Sequence, residues 1–192
     1  MNHRIFDAPV CGVIFLPKGF YMKLSDKGIR TLKLCEGSVM RHGRHVIYDD
    51  KNGLPVAESA PLPAGATIGY GHLIKSGEDF RDGIDEDTAT KLLRADLSIA
   101  ERAVNTTVTA NLRQNQFDAL VMLCFNIGIR NFANSTVVKY INNPNFKSGT
   151  YPTLAAAWRA WNRIGGRVSV GLARRRDVEL NIYENRIYAL HL

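Results

Sequence analysis

Three short segments of the chain carry side chains that are able to transfer a proton or hold a water molecule. The first is Glu36, which ends an apolar stretch and is followed by Gly37. The second is the adjacent pair Asp49 and Asp50 at a turn, and the third is Thr-Ile-Gly-Tyr-Gly-His at 67–72. A carboxyl group partly removed from water keeps its proton to a higher pH and is able to act as a general acid, whereas an ionised carboxylate is able to act as a base.

Each segment on its own is also typical of ordinary structure. A lone Glu-Gly is most often a solvated helix end, and adjacent aspartates at a turn usually only form the turn. No helix follows the glycines of 67–72, so that segment does not match a dinucleotide-binding fingerprint. The histidine at its end, taken alone, is typical of a hydrogen-bonded structural residue. The chemistry therefore depends on the three segments acting together.

The hydrophobic pattern predicts the elements that position these segments. Apolar residues at helical spacing predict a helix over 24–36, capped by Ser25, so that Glu36 stands at its end. β-forming residues, turn residues and a proline-containing loop predict a small, irregular antiparallel sheet over 44–74, with 67–72 as one strand.

Everything after residue 84 is predicted to be helical. Acidic residues at 85–87 suit the start of a helix that joins the two lobes. A more apolar helix follows Asn111, ends at Gly128 and is expected to form the core of the larger lobe. Three shorter or later helices are predicted, the last two separated by a Gly-Gly pair: about 135–142, about 152–161, and one from near Gly171 through Tyr183 toward Ile187.

The composition is that of a globular domain with an uneven distribution of charge. The chain has 192 residues, 45% of them apolar and 22% charged, which excludes disordered, collagen-like and coiled-coil chains. Residues 1–110 are balanced, so the net charge of +7 is carried by residues 111–192. A basic surface favours nucleic acid, an anionic membrane or an acidic wall polymer as a partner. Because no nucleic-acid motif is present, nucleic acid is not expected.

The N-terminal segment and the cysteines leave alternatives open. Residues 1–21 contain a short apolar run with Pro and Gly, which is compatible with an extended arm, a leader translated before a second start at Met22, or a signal anchor. Cys11, Cys35 and Cys124 fit no metal-binding spacing, and free thiols are the default. The alternative is a Cys11–Cys35 disulfide that acts as a redox switch beside the glutamate. No metal ion and no cofactor are predicted.

Taken in order, the segments resemble the phage-type lysozymes, the endolysins of glycoside hydrolase family 24. The order is helix-Glu36-Gly, then Tyr48-x-Asp50-x-x-Gly, then Thr-Ile-Gly-Tyr-Gly-His. The later half agrees through Gln-Phe-Asp-Ala-Leu at 116–120, Phe-Asn-Ile-Gly at 125–128, and Gly-Gly-Arg, Gly-Leu-x-x-Arg-Arg and Glu within 165–179. The resemblance extends from about residue 24 to about residue 183.

The resemblance implies a fold and a set of functional residues. The implied fold is α+β and mainly α: one lysozyme-like domain over 22–192, with a small antiparallel β lobe at about 36–80, a linking helix and helical lobe at about 84–192, and an active-site cleft between the lobes. The implied catalytic residues are Glu36 as general acid, and Asp50 and Thr67 as the pair that holds the attacking water. Four residues are implied to line the substrate cleft: His72, Leu73, Phe125 and Ser135. His72 is further expected to brace the aspartate loop.

The implied activity is that of an endolysin muramidase. Hydrolysis of the β-1,4 bond between N-acetylmuramic acid and N-acetylglucosamine needs a proton on the leaving oxygen and a water on the opposite face of the sugar. Two carboxyl groups supply both, with inversion when they stand about 6.5–9.5 Å apart. One alternative is a lytic transglycosylase, which needs Glu36 but neither Asp50 nor Thr67. The other is a basic protein that binds the wall or a membrane without catalysis.

The resemblance also implies partners and a location. Peptidoglycan is the expected substrate, and the protein is expected to be a monomer that stays in the host cytoplasm until a holin releases it to the cell wall, where it lyses the host. Arginines near the C-terminus are expected to attract an anionic outer-membrane surface: Arg159, Arg163, Arg167, Arg174, Arg175 and Arg176. For Arg175 and Arg176, an internal pair with Glu179 is the alternative.

The spacing departs from the family pattern at two places beside the cleft. Glu36 and Asp50 are 14 residues apart, and Asp50 and Thr67 are 17 apart. Both separations are longer than the family pattern, and the extra residues fall at 41–45 and 54–65. The first insertion leaves Asp49 as the alternative to Asp50. The loops are expected either to be tolerated surface loops or to extend contacts with the sugar or its peptide stem.

Overall fold

The computed structural model describes residues 21–57 and 59–189. The interpretations of the N-terminal segment and of Cys11 lie outside these residues. The helices and strands of the described part are α1 (Asp26–Glu36), β1 (Met40–Arg41), β2 (Arg44–His45), β3 (Tyr48–Asp49), β4 (Leu54–Pro55), β5 (Ala66–Ile68), β6 (His72–Leu73), α2 (Glu86–Thr107), α3 (Gln114–Ile127), α4 (Ile129–Ala133), α5 (Thr136–Asn142), α6 (Leu154–Arg159), β7 (Arg163–Ile164), β8 (Arg167–Val168) and α7 (Val170–Asn185). Within these ranges, no helix has the length and apolar character needed to cross a membrane.

Capping residues account for where α1 and α2 begin and for where α1 ends. Ser25 caps α1 and Asp85 caps α2, each by accepting a backbone N–H of the first helical turn. Such caps satisfy donors that the helix itself leaves without partners. Helix α1 ends at Glu36 because Gly37 adopts φ 67°, a conformation that glycine reaches without strain. The helix predicted over 24–36 is confirmed, with its start two residues later.

The β lobe contains a β1–β2 hairpin and a four-stranded antiparallel sheet in the order β4-β3-β5-β6. Its register places Thr67 opposite Tyr48 on one side and opposite Leu73 on the other. The expectation that Thr-Ile-Gly-Tyr-Gly-His forms one strand is wrong. The chain reverses between β5 and β6, where Gly69 and Gly71 have φ of 62° and 90°.

The helical region contains two features that the hydrophobic pattern did not predict. Strands β7 and β8 form a hairpin around Gly165-Gly166, whose positive φ values of 55° and 80° suit a two-residue turn. The region after residue 84 is therefore not helical throughout. The second feature is α4. Gly128 ends α3 and also caps the start of α4, so this glycine alone separates the two helices. The other predicted helices are confirmed as α2, α3, α5, α6 and α7.

Two hydrophobic clusters correspond to the two lobes. The larger one surrounds α3, where Leu120 and Leu123 are fully buried, and it includes Leu32 of α1. The smaller one lies under the sheet and includes Ile68. Tyr70 packs against both clusters. The structure is thus α+β and mainly α, with a small β lobe beside a helical lobe, and α1 carries Glu36 from the helical core to the edge of the β lobe.

Glu86, in the first turn of α2, connects three elements at the junction of the lobes. Its carboxylate accepts a hydrogen bond from Lys33 Nζ of α1 at 2.6 Å and from the Tyr70 hydroxyl at 2.8 Å. It also lies 2.9 Å from Nε2 of His45, a residue of β2 that is 1% exposed. One carboxylate therefore joins the β lobe to both adjoining helices.

We expect the free energy of unfolding to fall at acid pH through this carboxylate. Partial burial would raise the pKa of Glu86, but hydrogen bonds from Lys33, His45 and Tyr70 lower it to about 2. A group whose pKa is lowered in the folded state contributes stability above its unfolded pKa of about 4.3, and loses it as the pH falls toward the folded value. Urea unfolding should therefore show Glu86→Gln less stable than wild type by about 1 kcal/mol near pH 7, since the side chain is 53% exposed and solvent screens it.

The difference between wild type and Glu86→Gln should shrink between about pH 4 and pH 2. Asp87→Asn removes the same charge from the same helical turn and is the matched control, because in the described part of the chain no side chain is bonded to its carboxylate and the loss of stability should be smaller. If the difference in free energy of unfolding between wild type and Glu86→Gln stayed constant over this pH range, the proposed coupling between protonation of Glu86 and unfolding would be contradicted.

Candidate active site

Glu36 is held at the end of α1 by an arginine of α7. Its Oε1 lies 2.8 Å from Nη2 of Arg175, and the glutamate side chain is 21% exposed. The contact is an ion pair rather than a well-directed hydrogen bond. Burial would lower the pKa of Arg175, but the charges of Glu36 and Glu179 raise it above its ordinary value. The arginine is therefore a permanent cation beside a carboxyl group that is partly open to solvent.

Behind this pair lies a buried cluster of charges. Glu179 is fully buried and accepts hydrogen bonds from Trp158 Nε1 at 2.8 Å, Arg176 Nη2 at 3.0 Å and Arg175 Nε at 3.2 Å. The two arginines balance the charges of Glu179 and Glu36. The internal pairing considered for Arg175 and Arg176 is confirmed, and these two side chains do not belong to the basic surface.

Tyr48 lies in β3, two residues before Asp50 and opposite Thr67 in the sheet. Burial raises the pKa of Tyr48, and the negative charges of Asp50 and Glu36 raise it further. The backbone of Gly71 is hydrogen-bonded to the phenol oxygen.

The two adjacent aspartates have different surroundings. Asp49 forms the turn after β3, where its Oδ1 accepts the N–H of Lys51 at 3.0 Å and its Oδ2 accepts from Asn52 Nδ2 at 3.5 Å. Asp50 is exposed, and in the described part of the chain no donor is bonded to its carboxylate. The geometry therefore favours Asp50 over Asp49 as the residue that is able to meet a water molecule or a substrate.

Thr67 lies beside this group but is bonded within the sheet. It stands opposite Tyr48 in the ladder and is 3% exposed. Its hydroxyl donates to the carbonyl oxygen of Gly65 at 2.9 Å. The oxygen keeps a lone pair for accepting a second hydrogen bond, so the role of Thr67 beside Asp50 stays a prediction.

The four residues expected to line the cleft have different positions. Leu73 is 56% exposed on β6 beside Thr67, and Phe125 is half-buried at the end of α3. The contacts of Leu73 and Phe125 with a sugar stay predictions. Ser135 is 4% exposed, and its Oγ accepts the N–H of Val138 as the cap of α5. The direct substrate contact expected for Ser135 is therefore not accessible in this structure.

His72 is also removed from solvent and fully engaged. The side chain is 4% exposed, with Nδ1 2.8 Å from Asp96 and Nε2 3.0 Å from Glu78. Both ring nitrogens are occupied, which leaves no polar atom for a sugar. The ring joins the loop at 75–78 to α2, so it braces that loop rather than the aspartate turn that we expected.

Two residues with evident positions in the site were not singled out from the sequence. Tyr48 served only to locate Asp50, and Arg175 was considered as a surface charge or as a partner of Glu179. Tyr48 and Arg175 both lie within the segments that resemble the family. Only the folded chain, however, brings α7, which carries Arg175, against the end of α1. Cys35, next to Glu36, is half-buried, and burial raises the pKa of its thiol, which keeps it protonated and weakly reactive at neutral pH.

Across 21–57 and 59–189, no group of three or more His, Cys, Asp or Glu side chains is arranged to hold a metal ion.

Comparison with known proteins identifies similar chains and folds. Residues 50–179 match the family model described as phage lysozyme. The endolysin of Salmonella phage P22 is 35% identical over 158 residues, which cover 81% of this chain and 94% of that protein. Among solved structures, the endolysin from Escherichia coli O157:H7 phage FAHEc1 is 33% identical with a TM-score of 0.69, covering 88% of this chain and 98% of that one. The muramidase domain of SpmX from Asticaccaulis excentricus is 32% identical with a TM-score of 0.64, covering 85% and 98%.

Proposed function

Because the chain belongs to the phage lysozyme family, we propose that it is an endolysin muramidase that hydrolyses the β-1,4 bond between N-acetylmuramic acid and N-acetylglucosamine in bacterial peptidoglycan. Two carboxyl groups support this proposal: Glu36 stands at the end of α1 in an ion pair with Arg175, and Asp50 is exposed directly after β3. The similarity to an endolysin over most of both chains and to a solved muramidase domain supports the substrate class.

In the proposed reaction Glu36 donates a proton to the leaving glycosidic oxygen. The end of α1 fixes the backbone of this residue, and the ion pair with Arg175 fixes its side chain. Once the proton has moved, the positive charge of Arg175 stabilises the carboxylate that remains. Arg175 is itself immobilised by Glu179, so the proton donor is positioned by the core of the helical lobe.

Asp50 is proposed to activate the water that attacks the opposite face of the sugar. Its carboxylate is exposed at the end of β3, and the hydroxyl of Thr67 is proposed to help hold the water. We propose hydrolysis with inversion, in which an acid and a base stand about 6.5–9.5 Å apart with a water between them. Tyr48 is proposed to orient one of the two carboxylates through its hydroxyl.

The adjacent aspartates offer a matched test of this assignment. Asp50→Asn should lower the rate of release of soluble fragments from purified peptidoglycan by about 10²–10³-fold, because the base for water is lost. Asp49→Asn removes the same charge one residue away and should keep the rate within a few-fold of wild type, with only a small loss of turn stability. A loss of activity in Asp49→Asn as large as that in Asp50→Asn would contradict the assignment.

The proposed location is the cell wall of the host, reached from the host cytoplasm through a holin, and the proposed working form is a monomer. An anionic outer-membrane surface is a further proposed partner, through arginines of the C-terminal region. Arg163, Arg167 and Arg174 are exposed and suit this role, whereas Arg159 is paired with Asp177 at 2.8 Å. Neither a metal ion nor a cofactor enters the proposed reaction.

A further inference from the structure

A cavity of about 350 Å³ lies in the helical lobe, where the end of α3 meets α4 and the segment that runs from the end of α6 into β7. This volume is at the lower end of the range of about 300–1,000 Å³ for small-molecule sites, so it suits one sugar residue or a short peptide. Its wall combines two side-chain amides and a guanidinium with an indole ring and apolar groups. The lining residues are Asn126, Ile127, Asn131, Ala160, Trp161 and Arg163.

A series of buried side chains connects this cavity to Glu36. Oδ1 of Asn126 accepts a hydrogen bond from Nη2 of Arg176 at 2.6 Å, and the same nitrogen donates to Oε1 of Glu179 at 3.0 Å. That carboxylate oxygen also accepts from Nε of Arg175 at 3.2 Å, and Arg175 pairs with Glu36 at 2.8 Å. Only three side chains therefore separate the amide of Asn126 from the carboxyl group of the proposed proton donor, which places the cavity beside the candidate active site.

The contact with Arg176 fixes the orientation of the Asn126 amide. A guanidinium donates hydrogen bonds and accepts none, so the atom that faces it is the amide oxygen. Arg176 is fully buried, and its ion pair with Glu179 holds it in place. In the part of the chain that the structure describes, no acceptor is bonded to Nδ2 of Asn126. Asn126 therefore has two N–H groups available for a carbonyl oxygen of a ligand.

Two further side chains of the wall have polar atoms available. Asn131 donates through Nδ2 to the carbonyl of Ile127 at 2.8 Å, so its Oδ1 is left as an acceptor. Trp161 is half-buried against the core of the helical lobe, and over 21–57 and 59–189 no acceptor is bonded to its indole N–H. A buried indole N–H usually has such a partner. The wall thus offers a donor, an acceptor and an apolar ring, which together match a secondary amide and its methyl or methylene substituent.

We propose that this cavity is a subsite for a secondary amide of peptidoglycan. Asn126 donates to the carbonyl oxygen of that amide, Asn131 accepts its N–H, and the ring of Trp161 packs against its apolar substituent. The proposal rests on the muramidase function, which supplies secondary amides in two places, the acetamido groups of the sugars and the peptide bonds of the stems.

The indole N–H signal of Trp161 in an NMR spectrum tests the subsite without catalysis. The chain has two tryptophans, so Trp161→Phe assigns the signal by removing it. A β-1,4 trimer of N-acetylglucosamine should shift this signal several times more than a β-1,4 trimer of glucose, which has hydroxyls in place of the acetamido groups. The N–H of Trp158 is bonded to buried Glu179 and is the internal reference, whose signal should not move. Equal shifts with the two trimers would overturn recognition of a sugar amide.

A blocked alanine dipeptide, which carries amides but no sugar ring and no charge, distinguishes the two sources of the amide. A shift of the Trp161 signal with the dipeptide alone would assign the subsite to the peptide stem. A shift with the N-acetylated trimer alone would assign it to the sugar. No shift with either ligand would overturn the subsite.

Asn126→Asp keeps an oxygen for Arg176 and removes both N–H groups. The KM for purified peptidoglycan should rise about tenfold, with a smaller change in kcat, because the carboxylate repels the carbonyl oxygen that the amide bound. Asn145→Asp is the matched control, since it adds the same charge at an exposed position that does not line the cavity, and its KM should equal that of wild type.

An equal rise of KM in Asn145→Asp would overturn the subsite in favour of general electrostatic attraction. An unchanged KM in Asn126→Asp would overturn it as well. Failure of the muramidase function is a different result, in which the N-acetylated trimer or the dipeptide shifts the Trp161 signal but wild type releases no fragments from peptidoglycan.

Discussion

Glu36→Gln should lose about 10²–10⁴-fold of its activity on purified peptidoglycan, because glutamine keeps the size of the side chain but has no proton to donate to a leaving oxygen. The change should fall on kcat, since the interaction removed is made in the transition state. Initial rates of fragment release over a range of substrate concentrations measure this effect.

Two controls separate lost chemistry from lost structure in this variant. Arg175 keeps its ion pair with Glu179 when Glu36 is replaced, so Glu36→Gln should retain the circular dichroism spectrum and cooperative unfolding of wild type. Glu184→Gln makes the same change at an exposed position of α7 and should leave the rate unchanged. A folded Glu36→Gln protein within tenfold of the wild-type rate would contradict the proposed acid.

Glu179→Gln should lower the free energy of unfolding by about 3–5 kcal/mol, the largest effect on stability that we expect from a single side chain. Removing one partner of a buried ion pair leaves the other charge without compensation. Here both Arg175 and Arg176 lose their shared carboxylate, although Trp158 keeps an acceptor in the amide oxygen. Urea unfolding at neutral pH measures this loss.

The same helix provides a control with an exposed ion pair. Arg159 and Asp177 are 2.8 Å apart, and both side chains are 57% exposed. Because exposed pairs contribute about 0–1 kcal/mol, Asp177→Asn should change the stability by no more than that. Similar losses in Asp177→Asn and Glu179→Gln would contradict the view that the buried cluster anchors α7.

Local signals in the sequence were sufficient to locate the elements that carry the proposed catalytic groups. Ser25 and Gly37 delimit α1, and Asn111 and Gly128 come close to the ends of α3, because capping and left-handed residues act on their immediate neighbours. Motif order located Glu36 and Asp50, but the choice between Asp50 and Asp49 required the hydrogen bonds of the turn.

Contacts between distant segments were not predictable in the same way. The pair of Glu36 and Arg175 joins the first and last helices, and no local pattern specifies which arginine reaches the glutamate. The bonds of His72 to Asp96 and Glu78 likewise depend on how the sheet packs on α2. The β7–β8 hairpin was missed because its strands are two residues long, too short for an alternating pattern.

We propose that water cleaves the muramic acid linkage at this site. Digestion of purified peptidoglycan in heavy-oxygen water, followed by mass spectrometry of the fragments, tests it most directly. We expect reducing N-acetylmuramic acid ends that each carry one heavy oxygen from the solvent. Anhydro ends without the label would contradict it, since the sugar's own hydroxyl would then be the nucleophile, and Asp50 and Thr67 would have no part in the reaction.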